Sequence, residues 1–166
     1  MAFKEKVLED LGSFLPEKAL LLNEEATLRQ AGGLHTEEPV NAKLIVRPQS
    51  TEEVSKILAI CNREKQPVVV HGGLTGLVYG TRTLPDQLIL SLERMNEIEE
   101  VDVVGRTLTC QSGATLQNIQ EKAEKQDMIF PLDLGARGSC SIGGNISTNA
   151  GGNRVIRFGM TRDSVL

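Results

Sequence analysis

The sequence predicts an α+β chain: a small βαβ lobe followed by a second lobe whose sheet is mostly antiparallel. Three observations predict it. "AKLIVRP" and "PVVV" are apolar, β-branched runs separated by one amphipathic helical segment, the pattern of a βαβ unit. "EIEEVDV" and "TLTCQSG" alternate in polarity on either side of "VVGRT", the pattern of a hairpin. Two glycine-rich stretches, one beginning where "VVV" ends, supply the remaining irregular structure.

The boundaries implied are an N-terminal helical extension over 1–40, the βαβ lobe over 41–96 and the second lobe over 97–166. Phe3, Val7, Leu8 and Leu11 fall at helical spacing, and Gly12 with Pro16 limits that helix. The stretch from Leu34 to Asn41 is polar and has no period. After the strand ending at Pro48, Ser50 or Thr51 can cap a helix with Glu52 and Glu53 in its electropositive first turn. Val54, Ile57, Leu58 and Cys61 form its apolar stripe. In the second lobe a helix starts near Thr115, with Leu116, Ile119 and Ala123 on one face.

Composition narrows the function classes. The 166 residues are 40% hydrophobic and 24% charged, with net charge −4. Without a Lys/Arg run, neither nucleic acid nor an anionic membrane surface finds clustered positive charge. No window approaches the roughly 20 apolar residues of a bilayer span, and the amphipathic, charged start is no signal or transit peptide, so the expectation is a cytoplasmic protein. Three cysteines, Cys61, Cys110 and Cys140, lack CxxC spacing and are odd in number, which suggests reduced packing residues and no metal site.

The glycine run "HGGLTGLVYG" lies beyond the carboxyl end of a parallel strand, where ligands collect in α/β layers. Gly72, Gly73 and Gly76 can take φ > 0 and let successive N–H groups approach an anion; pyrophosphate is the ligand expected. The Rossmann GxGxxG spacing fails, since Gly73 is followed by Leu74-Thr75-Gly76, and no glycine is followed by Lys-Ser or Lys-Thr as a P-loop requires. A glycine-rich turn joining two strands remains the alternative for this segment alone. The second stretch, Phe130 to Gly159, holds seven glycines yet keeps Ile142, Ile146, Val155 and Ile156, too apolar for a disordered linker. It reads as an ordered wrap, and two such segments suit a long ligand with a diphosphate centre lying in a cleft between lobes.

"HGGLTGLVYG", "SLERMNEI", "QSGATLQNIQ" and "FPLDLGARGSCSIGGNISTNAGGNRVIRFGMTRDSVL" together resemble the FAD-binding half of the vanillyl-alcohol-oxidase, or PCMH-type, flavoproteins (FAD-linked oxidases). The similarity spans about Leu44 to Leu166 and is strongest to the branch of D-lactate dehydrogenases, glycolate oxidase D subunits and D-2-hydroxyglutarate dehydrogenases. The resemblance implies that the backbone amides of Gly72, Gly73, Leu74, Thr75 and Gly76, with Leu77 beside them, hold the FAD pyrophosphate. It implies that Pro131, Leu132, Gly135, Gly138, Ser139, Ser141, Gly143 and Gly144 run along the ribityl chain and flavin, and that Asn149, Ala150, Gly151 and Gly152 continue that wall.

Relatives that attach flavin covalently to this loop carry histidine where this chain has Thr75, so the resemblance implies non-covalent FAD. His71, where the family often has Arg or Gln, is expected to be a strand-end hydrogen-bonding residue. His35 lies in a polar loop with no evident partner. Cys140 has Arg137 nearby but no resolving thiol, and packing is its expected role. Asp133 is expected to orient its loop by bonding backbone N–H groups.

Oxidation of a 2-hydroxy acid needs a base for the hydroxyl proton and a cation for the carboxylate, and neither histidine is placed for that. The resemblance assigns those groups, with the 2-hydroxy acid substrate and the electron acceptor, to a cap domain further along. No catalytic residue is therefore expected here. The chain is expected to be an N-terminal fragment that by itself binds FAD weakly or not at all, from a full-length protein that peripheral membrane association would suit. Two other readings stay open: a non-catalytic nucleotide-binding module, and the FAD domain of another branch of the same fold.

Overall fold

The computed structural model describes residues 5–32 and 39–166. Phe3, His35 and the stretch from Leu34 to Glu38 lie outside those residues. The chain divides into two compact units, Met1–Arg94 and Met95–Leu166.

The first unit is built on a four-stranded sheet. Its strands are β1 (Leu20–Leu22), β2 (Leu44–Val46), β3 (Val68–His71) and β4 (Leu88–Ser91), in the order β1-β2-β4-β3. β2 and β3 both run parallel to β4, while β1 joins the edge of β2 antiparallel. The βαβ expectation holds, with β4 inserted between its two strands. Every residue of β2 and β4 is buried, as continuous apolar runs in the middle of a parallel sheet must be. β3 is an edge and leaves Val70 half exposed. The N-terminal region read as helical also contributes β1, three leucines with no period to announce a strand.

Helix α1 (Glu5–Gly12) and helix α3 (Thr51–Glu64) cover one face of this sheet, with a short helical turn α2 (Glu24–Thr27) between them in sequence. Val7, Leu11, Ile57 and Cys61 pack with Leu44, Val46, Leu88 and Leu90, while Ile45 and Ile89 face Ala26, Ala31, Val40 and Ala42 on the other side. α3 starts at Ser50, whose hydroxyl accepts the Glu53 N–H at 3.2 Å and so satisfies one orphan donor of the first turn, while the Glu53 carboxylate takes the N–H of Gln49, just before the cap, at 2.7 Å. Leu58, expected in the apolar stripe, is exposed: the face on the sheet is Val54, Ile57, Ile60 and Cys61, and Leu58 lies a step around the helix from Ile57 on the solvent side.

In the second unit β5 (Ile98–Asp102) and β6 (Thr107–Cys110) form the expected antiparallel hairpin. Its tip is closed by Asp102, whose Oδ1 accepts the N–H groups of Val104 and Gly105, both at 2.9 Å. A lone hairpin is marginal in water. This one lays Ile98, Leu108 and Cys110 on Ala114, Ile119 and Ile142. Helix α4 (Leu116–Glu124) is capped by Thr115 and buries Leu116, Ile119 and Ala123, as its spacing predicts. The glycine-rich wrap contains two elements that its composition hides, α5 (Ile142–Thr148) and the single turn α6 (Val155–Phe158). The α+β class with its two sheet styles is therefore what the molecule shows.

Candidate functional site

Three parallel strands of the first unit end on the same side, and the glycine run leaves from one of them. His71, the last residue of β3, is only 4% exposed, and its Nε2 lies 2.8 Å from the Thr81 carbonyl oxygen. A carbonyl can only accept, so Nε2 carries the hydrogen. Burial lowers the imidazole pKa, against the opposing pull of the Thr81 bond and the Glu93 carboxylate. This is the strand-end role expected of His71.

Between them the loop passes through Gly72 to Gly80. Its left-handed backbone falls on Leu74 and Tyr79, each at φ 57°, and not on Gly76, which corrects the expectation that the glycines supply that conformation. The reason is packing from outside the motif. Gly32, at φ 74°, abuts Leu74, and a Cβ on Gly32 would stand 2.5 Å from the Leu74 carbonyl oxygen. That contact fixes Leu74, and sequence reasoning missed Gly32 because nothing marks it as a neighbour of a loop some forty residues on.

The N–H groups of Leu74, Thr75 and Gly76 meet no acceptor among the described residues, Gly73 has a partner, and Gly76 and Leu77 are exposed. A Cβ built on Gly76 meets nothing within 4 Å. Unspent consecutive donors beside open space at a strand's carboxyl end suit a diphosphate, so these residues fit FAD. Within the loop no free imidazole is presented, since Thr75 has none and His71 is buried on Thr81, in keeping with non-covalent FAD.

The second expected segment belongs to the second unit. Pro131 and Leu132 precede a tight turn in which Gly135, Gly138 and Ser139 are exposed, and Gln120 holds the Leu132 carbonyl at 2.7 Å. Ser141 caps α5 and accepts the Gly144 N–H. Ile142 and Gly143 donate to the carbonyls of Ala114 and Ser112 at 2.9 and 2.8 Å. The donors at the start of α5 are thus spent on the protein, so Gly143 and Gly144 can offer a ligand bare backbone surface and no free N–H. A Cβ on Gly143 would lie 2.9 Å from Ser112, which accounts for glycine there.

Asn149 ends α5 at φ 51°. Ala150 and Gly151 then run beside Met160, Thr161 and Arg162: Thr161 gives both its N–H and its hydroxyl to the Ala150 carbonyl at 2.9 and 2.6 Å. Arg162 gives its N–H to Asn149 Oδ1, and its guanidinium to the carbonyls of Ile146 and Ser147. Asp133 draws together Arg137, Asn153 and, at 3.9 Å, Arg154. It orients its loop as expected, but through these side chains and through its own carbonyl, which accepts the Asn153 N–H at 3.2 Å, and not through N–H groups on its carboxylate. Arg162 was not legible, since nothing in "GMTRDSVL" marks a brace, and the sequence singled out Asp133 without its distant partners Asn153 and Arg154.

Cys140 is buried and its thiol pKa is pushed up by that burial, with smaller lowering by Asn145, so it is a packing residue. A depression of about 450 Å³ in this unit is lined by Ile129, Asn153, Arg154, Ile156, Arg157 and Phe158, none of them an expected FAD residue. Among the described residues no cluster of His, Cys, Asp or Glu could hold a metal ion, and no helix is long and apolar enough to cross a membrane.

Comparison with known proteins supplies the family. A D-2-hydroxyglutarate dehydrogenase of Danio rerio is 48% identical over 126 residues, and a probable D-2-hydroxyglutarate dehydrogenase of Oryza sativa subsp. indica is 51% identical over 126. Each alignment takes 76% of this chain but only 24% and 22% of the relative, so the chain spans about a quarter of their length. The fold matches a solved alkyldihydroxyacetonephosphate synthase with TM-score 0.86 at 19% identity, over 98% of this chain and 36% of that one. The fold is therefore the expected PCMH-type FAD-binding fold. The profile described as FAD binding domain matches residues 42–166, a span that takes in both glycine segments; the chain belongs to the FAD-binding domain family, and FAD is its cofactor.

Proposed function

We propose that this chain is the FAD-binding portion of an oxidoreductase acting on D-2-hydroxy acids. The observation that carries the reading is the 48–51% identity over 126 residues to proteins named D-2-hydroxyglutarate dehydrogenase. The amides of Leu74, Thr75 and Gly76 would take the diphosphate. Pro131, Leu132, Gly135, Gly138, Ser139, Ser141, Gly143 and Gly144, with Asn149 to Gly152, would line the ribityl chain and the ring. FAD supplies the hydride acceptor: the substrate's C2 hydrogen leaves with two electrons and its hydroxyl proton goes to a base, leaving a 2-oxo acid. This chain's part is to hold and orient the acceptor; the base, the carboxylate-binding cation and the contact with an electron acceptor belong to the remainder of the full-length protein.

Anaerobic mixing of the full-length flavoprotein with D-2-hydroxyglutarate, D-lactate and glycolate tests the reading. Loss of oxidised-flavin absorbance with at least one of them is expected. A protein that binds FAD but is bleached by none is not a 2-hydroxy-acid oxidoreductase.

A further inference from the structure

We propose that His71 is the positioning residue of the diphosphate loop: by donating from Nε2 to the Thr81 carbonyl it pins both ends of the Gly72–Gly80 excursion, so that the loop amides are arranged before FAD arrives. The inference rests on the reading of that loop as the diphosphate site. One end of the pin is rigid, because His71 is paired with Ser91 in the parallel ladder and its carbonyl accepts the Leu92 N–H at 3.0 Å. The other end closes an excursion that contains four glycines, the residues with the most backbone freedom to lose. It also contains two non-glycine residues in the left-handed region, Leu74 and Tyr79, a conformation that persists only where its surroundings over-determine it. A loop with free donors and no anchor would bind an anion only after losing that freedom, and affinity falls by the cost. An anchor that is 4% exposed is not competed away by water.

The test uses the natural full-length chain as wild type, His71→Gln and His71→Leu, reading the FAD dissociation constant and the melting temperature of apo and holo forms. Glutamine keeps a buried N–H donor for Thr81, and leucine fills the space without one. Expected is a weakening of FAD binding of about tenfold for leucine, the worth of one buried hydrogen bond, and of no more than about threefold for glutamine, with the holo-minus-apo melting shift reduced only for leucine. Wild-type affinity in His71→Leu, or equal losses in both variants, would overturn the proposal. Should the leucine variant not fold, hydrogen exchange of the His71 imidazole N–H in wild-type apoprotein decides. Protection before FAD is added is expected, and protection that arises only with FAD overturns the proposal. A wild type that binds no FAD would sink the reading of the loop and this inference with it, an outcome distinct from either.

Discussion

The carbonyl oxygen of Asp133 occupies the space that a side chain on Gly152 would need, and Gly152 holds φ 72° in making that approach. Two segments some twenty residues apart are thereby stacked backbone on backbone, and the Asn153 N–H closes on the same oxygen.

Gly152→Ala should therefore destabilise the chain by about 2–4 kcal/mol, the sum of left-handed strain and displaced backbone. Gly151→Ala should cost less than about 1 kcal/mol, because its Cβ would crowd the flexible end of Met160 at 2.9 Å and meet Val155 at an ordinary 3.5 Å. Urea unfolding of the two variants side by side is the check, and similar costs would contradict the stacking.

In the first unit, glycines divide by the same reasoning into those that carry the fold and those that face a ligand. Gly32→Ala must push Leu74, so it should lower both the melting temperature of the apoprotein and its affinity for FAD. Gly76→Ala enters open space at an ordinary φ and should leave the apoprotein's melting temperature unchanged while weakening FAD about tenfold or more. Titration with FAD and apoprotein melts separate the two, and an unaltered affinity for Gly76→Ala would remove that residue from the site.

What the sequence could show depended on whether a residue's neighbours were local. α3 and α4 were legible because Ser50 and Thr115 cap them and their buried residues recur at helical spacing. The hairpin was legible because "EIEEVDV" and "TLTCQSG" alternate in polarity on either side of "VVGRT". α5 was not, since Gly143 and Gly144 depress helix propensity; it forms because Ser141 caps it and because Ala114 and Ser112 accept its leading amides, partners some thirty residues away. The left-handed Leu74 was equally hidden, because glycine is the residue expected there and the cause lies in Gly32. The placement of β4 between β2 and β3 is a fact of topology that no window of sequence contains.

The buried histidine makes stability depend on pH in a direction that can be worked out. Burial lowers the folded-state pKa of His71 below its ordinary 6.5, so the unfolded chain takes up a proton more readily than the folded one. The contribution is fully present above the unfolded value, declines as pH falls through 6.5, and levels off below the folded value. While only the unfolded state is protonated the slope is about 1.4 kcal/mol per pH unit. His71→Gln should flatten the wild-type curve in that window. Urea midpoints between pH 7.5 and 5.5 measure it, and parallel curves for the two proteins would show that His71 does not titrate differently on folding.

Arg162 presents the sharpest separation between charge and geometry. Its Nε and Nη2 reach the carbonyls of Ile146 and Ser147 at 2.8 and 2.9 Å, in the last turn of α5, where the Ile146 carbonyl also takes the Asn149 N–H at 3.2 Å and the helix dipole favours a cation. Lysine would keep the charge but could not span two carbonyls in one plane; methionine would keep neither. Arg162→Met should cost about 1–2 kcal/mol and Arg162→Lys about half as much. Because Asn149 and Ala150 hang from the same end of the helix, the methionine variant should also broaden the visible circular dichroism of bound flavin, as the wall beside it loosens. If lysine restores wild-type stability in full, the dipole is what Arg162 serves; if it restores only part, the two-pronged contact holds the turn, and the dichroism should follow stability across the series.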